Sequence, residues 1–177
     1  MMSHPAHIAI RPYRTDDAAV VLEAARESLV EMQPWMPWCH PDYSLEESRA
    51  WLETQVSAFS LRTAFEFAIV RSEDGSFLGG CGLNRIDSVN RFANLGYWVR
   101  SSATLRGVAT AAVGLLIDWA FANTELMRLE VVIAAGNLAS QRVAVKSGAT
   151  LEGVLRKRLI LHGKAHDAMM FSFTRAE

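Results

Sequence analysis

Hydrophobic positions along the chain switch repeatedly between a period of two and a period near 3.6, and each switch marks a new element. Residues 6–13, AHIAIRPY, alternate and predict a short strand. Residues 18–32, AAVVLEAARESLVEM, take the helical repeat, with Thr15 as the expected N-cap and Asp16 and Asp17 suited to the positive end of a helix. QPWMPWCHPDY, 33–43, holds three prolines and two tryptophans and cannot continue that helix. Ser44 then opens a second helix over 45–59, and Glu47 completes a capping box.

From residue 64 the pattern turns to strands. EFAIV (66–70), FLGGCGLNRI (77–86) and NLGYWV (94–99) are separated by turn signals at Asp74-Gly75 and 88–90, which predicts three antiparallel strands. A helix over 107–122, a buried strand over 127–134, a helix over 138–148 ending at Gly148, and a strand pair over 149–163 and 164–175 complete the chain. The order is β-α-α-β-β-β-α-β-α-β-β, without repeat or linker, so a single domain over 1–177 is expected.

Composition narrows the function. The 177 residues are 50% hydrophobic and 21% charged with a formal net charge of −1, which argues against a disordered tail or a nucleic-acid binder relying on bulk positive charge. Cys39 and Cys81 form no C-x-x-C pair, so neither a disulfide framework nor a metal site is expected. The first fourteen residues lack a secretory pattern, and the apolar stretch 108–122 is short and interrupted by Asp118. A soluble, cytoplasmic protein without membrane partners is the expectation. His4 and His7 read as solvated side chains near the terminus.

The candidate chemistry lies in TLRGVATAA, 104–112, between a strand and a helix. Gly107 and the small residues Ala109, Thr110, Ala111 and Ala112 let a bulky anion approach the main chain where a helix begins with unpaired N–H groups. Neither G-x-x-x-x-G-K-[ST] nor G-x-G-x-x-G is present, so a nucleoside triphosphate or a dinucleotide is disfavoured. Another phosphate-bearing ligand is required.

Thr104-Leu105-Arg106-Gly107-Val108-Ala109 resembles the Q/R-x-x-G-x-G/A motif of the GNAT superfamily of acyl-CoA-dependent N-acyltransferases, with threonine at the first position. NLASQRVAVKSGA, 137–149, is similar to that family's N-x-x-S/A-x-x-V/L-x-x-K-x-G-F/A at Asn137, Ser140, Val143, Lys146, Gly148 and Ala149. LGYWV at 95–99 and LEGVLRK at 151–157 resemble the RimJ/RimL branch, acetyltransferases of ribosomal-protein N-termini. The likeness covers nearly the whole chain and is strongest over 77–167.

The resemblance implies an α/β (mixed α+β) GNAT fold, with one mostly antiparallel sheet of about seven strands, splayed between the fourth and fifth and flanked by about four helices. It also implies acetyl-CoA as co-substrate, with the main chain of Thr104, Leu105, Arg106, Gly107, Val108, Ala109 and Thr110 around the pyrophosphate and the Arg106 charge at the rim. By the same likeness the Tyr97 N–H meets the thioester carbonyl and Val99 pairs with pantetheine amides. By the resemblance, Asn137 and Ser140 contact the cofactor and, with Tyr97, make up the catalytic set. Ser140 takes the proton-donor role because the position seven after Asn137, a tyrosine in many members, is Ala144 here.

By the resemblance, Ala93 and Asn94 stand where relatives often carry a glutamate, and Leu159 stands near where the RimL-type enzyme has another, so the general base is open between a water chain and the helpers His40, Asp42, Glu66, His162 and His166. A weak base favours an α-amine, of pKa about 8, over lysine at about 10.4. Trp35, Trp38 and Tyr43 either line the acceptor entry or anchor their loop on the core. Met169, Met170, Phe171 and Phe173 read as strand core or a dimer surface, and homodimers occur among similar proteins.

The implied activity is acetyl transfer, by direct attack in a ternary complex, to a protein N-terminal α-amine or a small-molecule amine. The alternatives are a non-catalytic acyl-CoA-binding or regulatory domain, an enzyme using another acyl-CoA such as succinyl-CoA, and an aminoglycoside-like acceptor. No nucleic-acid partner is implied.

Overall fold

In the computed structural model, which describes residues 7–176, seven strands form one sheet: β1 (Ile8–Pro12), β2 (Phe65–Arg71), β3 (Phe77–Asp87), β4 (Phe92–Val99), β5 (Arg128–Ala134), β6 (Thr150–Leu161) and β7 (Lys164–Thr174). Their spatial order is β1-β2-β3-β4-β5-β7-β6. The described residues also form five α-helices: α1 (Ala18–Glu27), α2 (Leu29–Met32), α3 (Leu45–Ser60), α4 (Val108–Asn123) and α5 (Leu138–Lys146). The expected element order holds. Ala6, the first residue of the predicted strand, and His4 lie outside the described residues.

Two local expectations are corrected. The predicted helix over 18–32 divides at Ser28, which leaves helical geometry (φ −104°, ψ 11°) to end α1 and begin α2. The Ser28 hydroxyl is fully buried and accepts the Ser101 N–H at 2.9 Å, so the break is fixed by a loop 73 residues away. Thr15 is not an N-cap, because Thr15–Asp17 forms a single 3-10 turn behind Arg14. Buried Asp17 accepts the Arg14 N–H at 2.8 Å and two bonds from the Arg11 guanidinium at 2.8 and 2.6 Å. That pairing offsets the cost of removing a carboxylate from water. At α3 the capping box forms as expected, with Glu47 N–H to Ser44 Oγ at 3.2 Å and Ser44 N–H to Glu47 Oε2 at 2.9 Å.

Period-two alternation sends the sheet's two faces into different cores. Phe65, Phe67, Ile69, Leu83 and Leu95 pack with Val113 and Leu116 of α4. Ala68 and Val70 pack on the other face with Val21 of α1 and Leu52 of α3. Each large apolar side chain buried this way stabilises the fold by ~1.5–3 kcal/mol.

One interruption positions everything that follows. β4 and β5 run parallel and pair only at Phe92–Asn94 against Arg128–Glu130. Beyond that point β4 stays bonded to β3 as far as Val99, while β5 stays bonded to β7 as far as Ala134. Each strand is satisfied on its outer side, so the two inner edges part at no cost to the rest of the sheet.

Candidate active site

At the mouth of the parted strands the chain turns into α4 through an unusual corner. Leu105 (φ 60°) and Gly107 (φ 79°) both take the left-handed conformation, and Leu105 projects wholly into solvent. Glycine adopts that conformation without strain, which explains its place at the helix N-cap. The bond that enters α4 from outside is Ala111 N–H to Gly107 C=O at 3.0 Å, so the Val108, Ala109 and Thr110 N–H groups precede the intrahelical ladder. Leu105, Arg106 and Gly107 donate to no acceptor among the described residues. Six consecutive N–H groups therefore surround the start of a sixteen-residue helix, the arrangement that accepts an anion. A diphosphate fits these residues. Ala109 presents only a methyl group, and Arg106 is exposed at the rim.

The corner is held from behind. Arg100 donates to Glu23 at 2.6 Å and pairs closely with Glu27, while the Glu27 carboxylate also accepts the Ser102 N–H at 2.7 Å. These bonds, the guanidinium first, pull the Glu27 carboxyl down to about 2. Ser101 Oγ donates to Glu31 at 2.8 Å. Three acids of α1 and α2 thus fix the approach to the anion seat.

Strand parity decides what β4 shows to the gap. Arg100 N–H reaches Leu78 C=O on the β3 side at 2.8 Å, and Met127 N–H reaches Arg91 C=O on the β5 side at 2.7 Å. Even residues of β4 therefore bond toward β3 and odd residues face β5. Tyr97 and Val99 turn their main-chain polar groups into the space that β5 has left. A thioester arm lying there would meet the groups that the sequence motif implies.

Asn137 caps α5, its side-chain oxygen accepting the Ser140 N–H at 3.1 Å, so its carbonyl end is committed to the helix. Ser140 lies in the first turn. Its hydroxyl donates to Tyr97 Oη at 2.9 Å, and Tyr97 Oη donates to the Ser140 main-chain oxygen at 2.8 Å. Burial pushes the Tyr97 hydroxyl up to about 12, against the bond from Ser140. The sequence motif gave Tyr97 a main-chain role alone; only the fold shows its phenol beside Ser140.

On the other face of β2–β4 lies a cavity of about 430 Å³. Trp38, Tyr43, Trp51 and Trp98 supply much of its wall. Trp38 packs edge-on against Tyr43 and Trp98, at centroid distances of 5.5 and 5.7 Å. Trp35 stands outside this lining and covers Gly136, where an added Cβ would lie 3.3 Å from its ring. His40 lines the cavity 3.1 Å from Glu47, whereas Asp42 and His166 are exposed and His162 pairs with Gln33 C=O at 2.8 Å.

Glu66 extends into the same cavity from β2. Asn84 Nδ2 donates to Glu66 Oε1 at 3.2 Å, and Asn94 Nδ2 donates to Asn84 Oδ1 at 3.0 Å. Burial pushes the Glu66 carboxyl up to about 7, only partly opposed by Asn84. The sequence signal for this chain was available as polar residues of one parity in otherwise apolar strands.

Residues 7–150 match the family model described as an acetyltransferase (GNAT) domain. The chain is 31% identical over 173 residues to the Bacillus subtilis protein named "Putative ribosomal N-acetyltransferase YdaF", covering 97% of this chain and 93% of that one. It is 26% identical over 141 residues to the ribosomal-protein-serine acetyltransferase of Escherichia coli, covering 80% and 78%. The crystallised Mycobacterium smegmatis RimJ in complex with CoA-disulfide superposes with a TM-score of 0.88 at 27% identity, covering 96% of this chain and 83% of that one.

Proposed function

The chain belongs to the GNAT acetyltransferase family, and from that premise we propose that it moves an acetyl group from acetyl-CoA to a primary amine, the α-amine of a protein N-terminus being the acceptor class. The observation that carries this reading is the parting of β4 from β5 after Asn94, directly beside six N–H groups that lead into α4 without a partner among the described residues. A helix entrance of this kind holds a diphosphate, and an unpaired strand edge holds the amide-bearing arm behind it.

In this reading the main-chain N–H groups of Leu105 to Thr110 bind the diphosphate and Arg106 adds charge at its rim. Val99 bonds the arm. The Tyr97 N–H, facing the gap, donates to the thioester oxygen and strengthens that bond as negative charge develops there during attack. Ser140, whose proton is shared with the Tyr97 phenol 2.9 Å away, delivers a proton to the departing sulfur, and the phenol keeps the serine oriented. Asn137 acts as a positioning residue, because its cap sets the turn that carries Ser140. Trp38 and Tyr43 form the acceptor wall.

The relatives' names favour a ribosomal protein as the acceptor, and the aromatic cavity supports a protein N-terminus by offering an apolar wall to a terminal side chain. We assign the activity to the cytoplasm; among the described residues no helix is long and apolar enough to cross a membrane. The test is to incubate the protein with acetyl-CoA and peptides bearing a free α-amine, a lysine amine alone, or neither, and to follow free thiol. Thiol release that requires the α-amine is expected. Saturable acetyl-CoA binding without acceptor-dependent release would replace the enzyme with an acyl-CoA sensor.

A further inference from the structure

Asn94 of β4 is joined through Asn84 of β3 to the carboxylate of Glu66, two strands away. Register places the three strands in rows. Glu66 of β2 is opposite Gly82 of β3, and Gly82 is opposite Gly96 of β4. Side chains in one row share a face of the sheet. Two of the three positions in this row have none.

The glycines have different consequences. A Cβ on Gly82 would overlap the Glu66 carboxyl, which shows that the carboxyl lies folded over β3 and not above its own strand. A Cβ on Gly96 would meet nothing within 4 Å. With strands about 5 Å apart, a single strand spacing of open floor separates the carboxyl from β4, the strand whose Tyr97 main chain faces the thioester gap. Asn84 anchors one carboxyl oxygen and leaves the other free toward that floor.

We propose that Glu66 is the general base of this enzyme, reaching an acceptor ammonium over the glycine floor of Gly82 and Gly96. The proposal rests on the acetyltransferase reading given above. Glu66 takes one proton from the ammonium, and the freed nitrogen lone pair attacks the thioester carbon. The C–N bond forms, the C–S bond breaks, and the second nitrogen proton passes to the leaving sulfur by way of Ser140. The products are the acetylated amine and the thiol, and Glu66 returns its proton to solvent. The titratable groups around it are Tyr13 after β1, Cys81 of β3, Tyr43 and the His40–Glu47 pair across the cavity, and Tyr97 on β4.

A base is needed only by an acceptor that arrives charged, and that supplies the test. Glu66→Gln keeps the shape and the Asn84 bond. With an α-amine peptide below the amine's own pKa, its kcat is expected to fall by about 100-fold or more, while acetyl-CoA binding measured by calorimetry stays within twofold of wild type. With a hydrazide acceptor, neutral at pH 7, the variant should recover to within a few-fold of wild type. Wild-type kcat with the α-amine should fall tenfold per pH unit below about 7, and in the variant that limb should move up to the amine's own pKa of about 8 and be absent with the hydrazide. A second variant, Gly96→Val, blocks the floor without strain at φ and should raise the acceptor KM with acetyl-CoA affinity unchanged. A wild-type protein that releases no thiol overturns the acetyltransferase reading itself. An active wild type with a Glu66→Gln variant that changes only KM, or that is equally slow with both acceptors, overturns the role of Glu66 alone.

Discussion

The burial that raises the Glu66 carboxyl must also appear in the stability of the protein, whether or not any substrate is present. The perturbation is again Glu66→Gln, now measured by urea unfolding. In the unfolded chain the carboxyl titrates at its ordinary 4.5, whereas in the folded chain it is pushed up to about 7. Between those values the native state holds a proton that the unfolded state has released, so wild-type stability falls as pH rises. Below 4.5 both states are protonated and the loss is absent; above 7 it is complete. At about 1.4 kcal/mol per pKa unit the span amounts to ~3 kcal/mol, and because the cavity admits water beside the carboxyl we expect ~2–3 kcal/mol. Glutamine does not titrate and escapes this loss. The variant should therefore match wild type near pH 4.5 and exceed it by that amount at pH 8, with an unchanged m-value. A difference that stays flat from pH 4.5 to 8 would refute the desolvation argument, and an equal or less stable variant at pH 8 would reverse its sign.

Other consequences follow from the anion seat and its supports. Ala109→Asp places a negative charge among the unpaired N–H groups and should weaken acetyl-CoA binding by at least ~100-fold in calorimetry, since charge-assisted bonds are the strong ones; undiminished affinity would relocate the site. Gly107→Ala meets no neighbour within 4 Å, so its cost is the left-handed backbone at φ 79°, about 1 kcal/mol and a fall of ~2–4 °C in Tm by calorimetric scan. Glu27→Gln weakens one of the two carboxylate partners of Arg100 and loosens the Ser102 main chain. The Glu27 carboxyl is held down at about 2, so its contribution is present above 4.5 and lost as pH falls toward 2. With the side chain 28% exposed the loss at pH 7 should be only ~1 kcal/mol, vanishing on acidification in chemical unfolding. Tyr97→Phe frees the Ser140 hydroxyl and should slow thiol release about tenfold or more with acetyl-CoA affinity unchanged; a normal rate would leave the phenol a packing group.

Elements with a local cause were legible in the sequence. The α3 capping box needs only Ser44 and Glu47 three residues apart, and the left-handed corner at Gly107 needs only a residue without a Cβ. The aliphatic and aromatic runs of β2, β3 and β4, set apart by turn signals, announced strands, and motif spacing brought Asn137 and Ser140 to one helix start. These signals span a few residues, within the reach of a turn or a strand repeat.

What the sequence could not place depends on partners far along the chain. Ser28 breaks a good helical pattern because the Ser101 N–H is donated to it, and Tyr97 becomes more than a strand residue because α5 sets Ser140 against its phenol. Glu66 stood among five undifferentiated candidates until strand register aligned it with Gly82 and Gly96. Local propensity is a property of neighbours in the chain, so the sequence by itself determined the elements, the glycine corner and the family. A carboxylate's surroundings, the parity with which a strand faces a gap, and the parting of β4 from β5 are set by hydrogen-bond register between distant segments, and those only the tertiary structure decided.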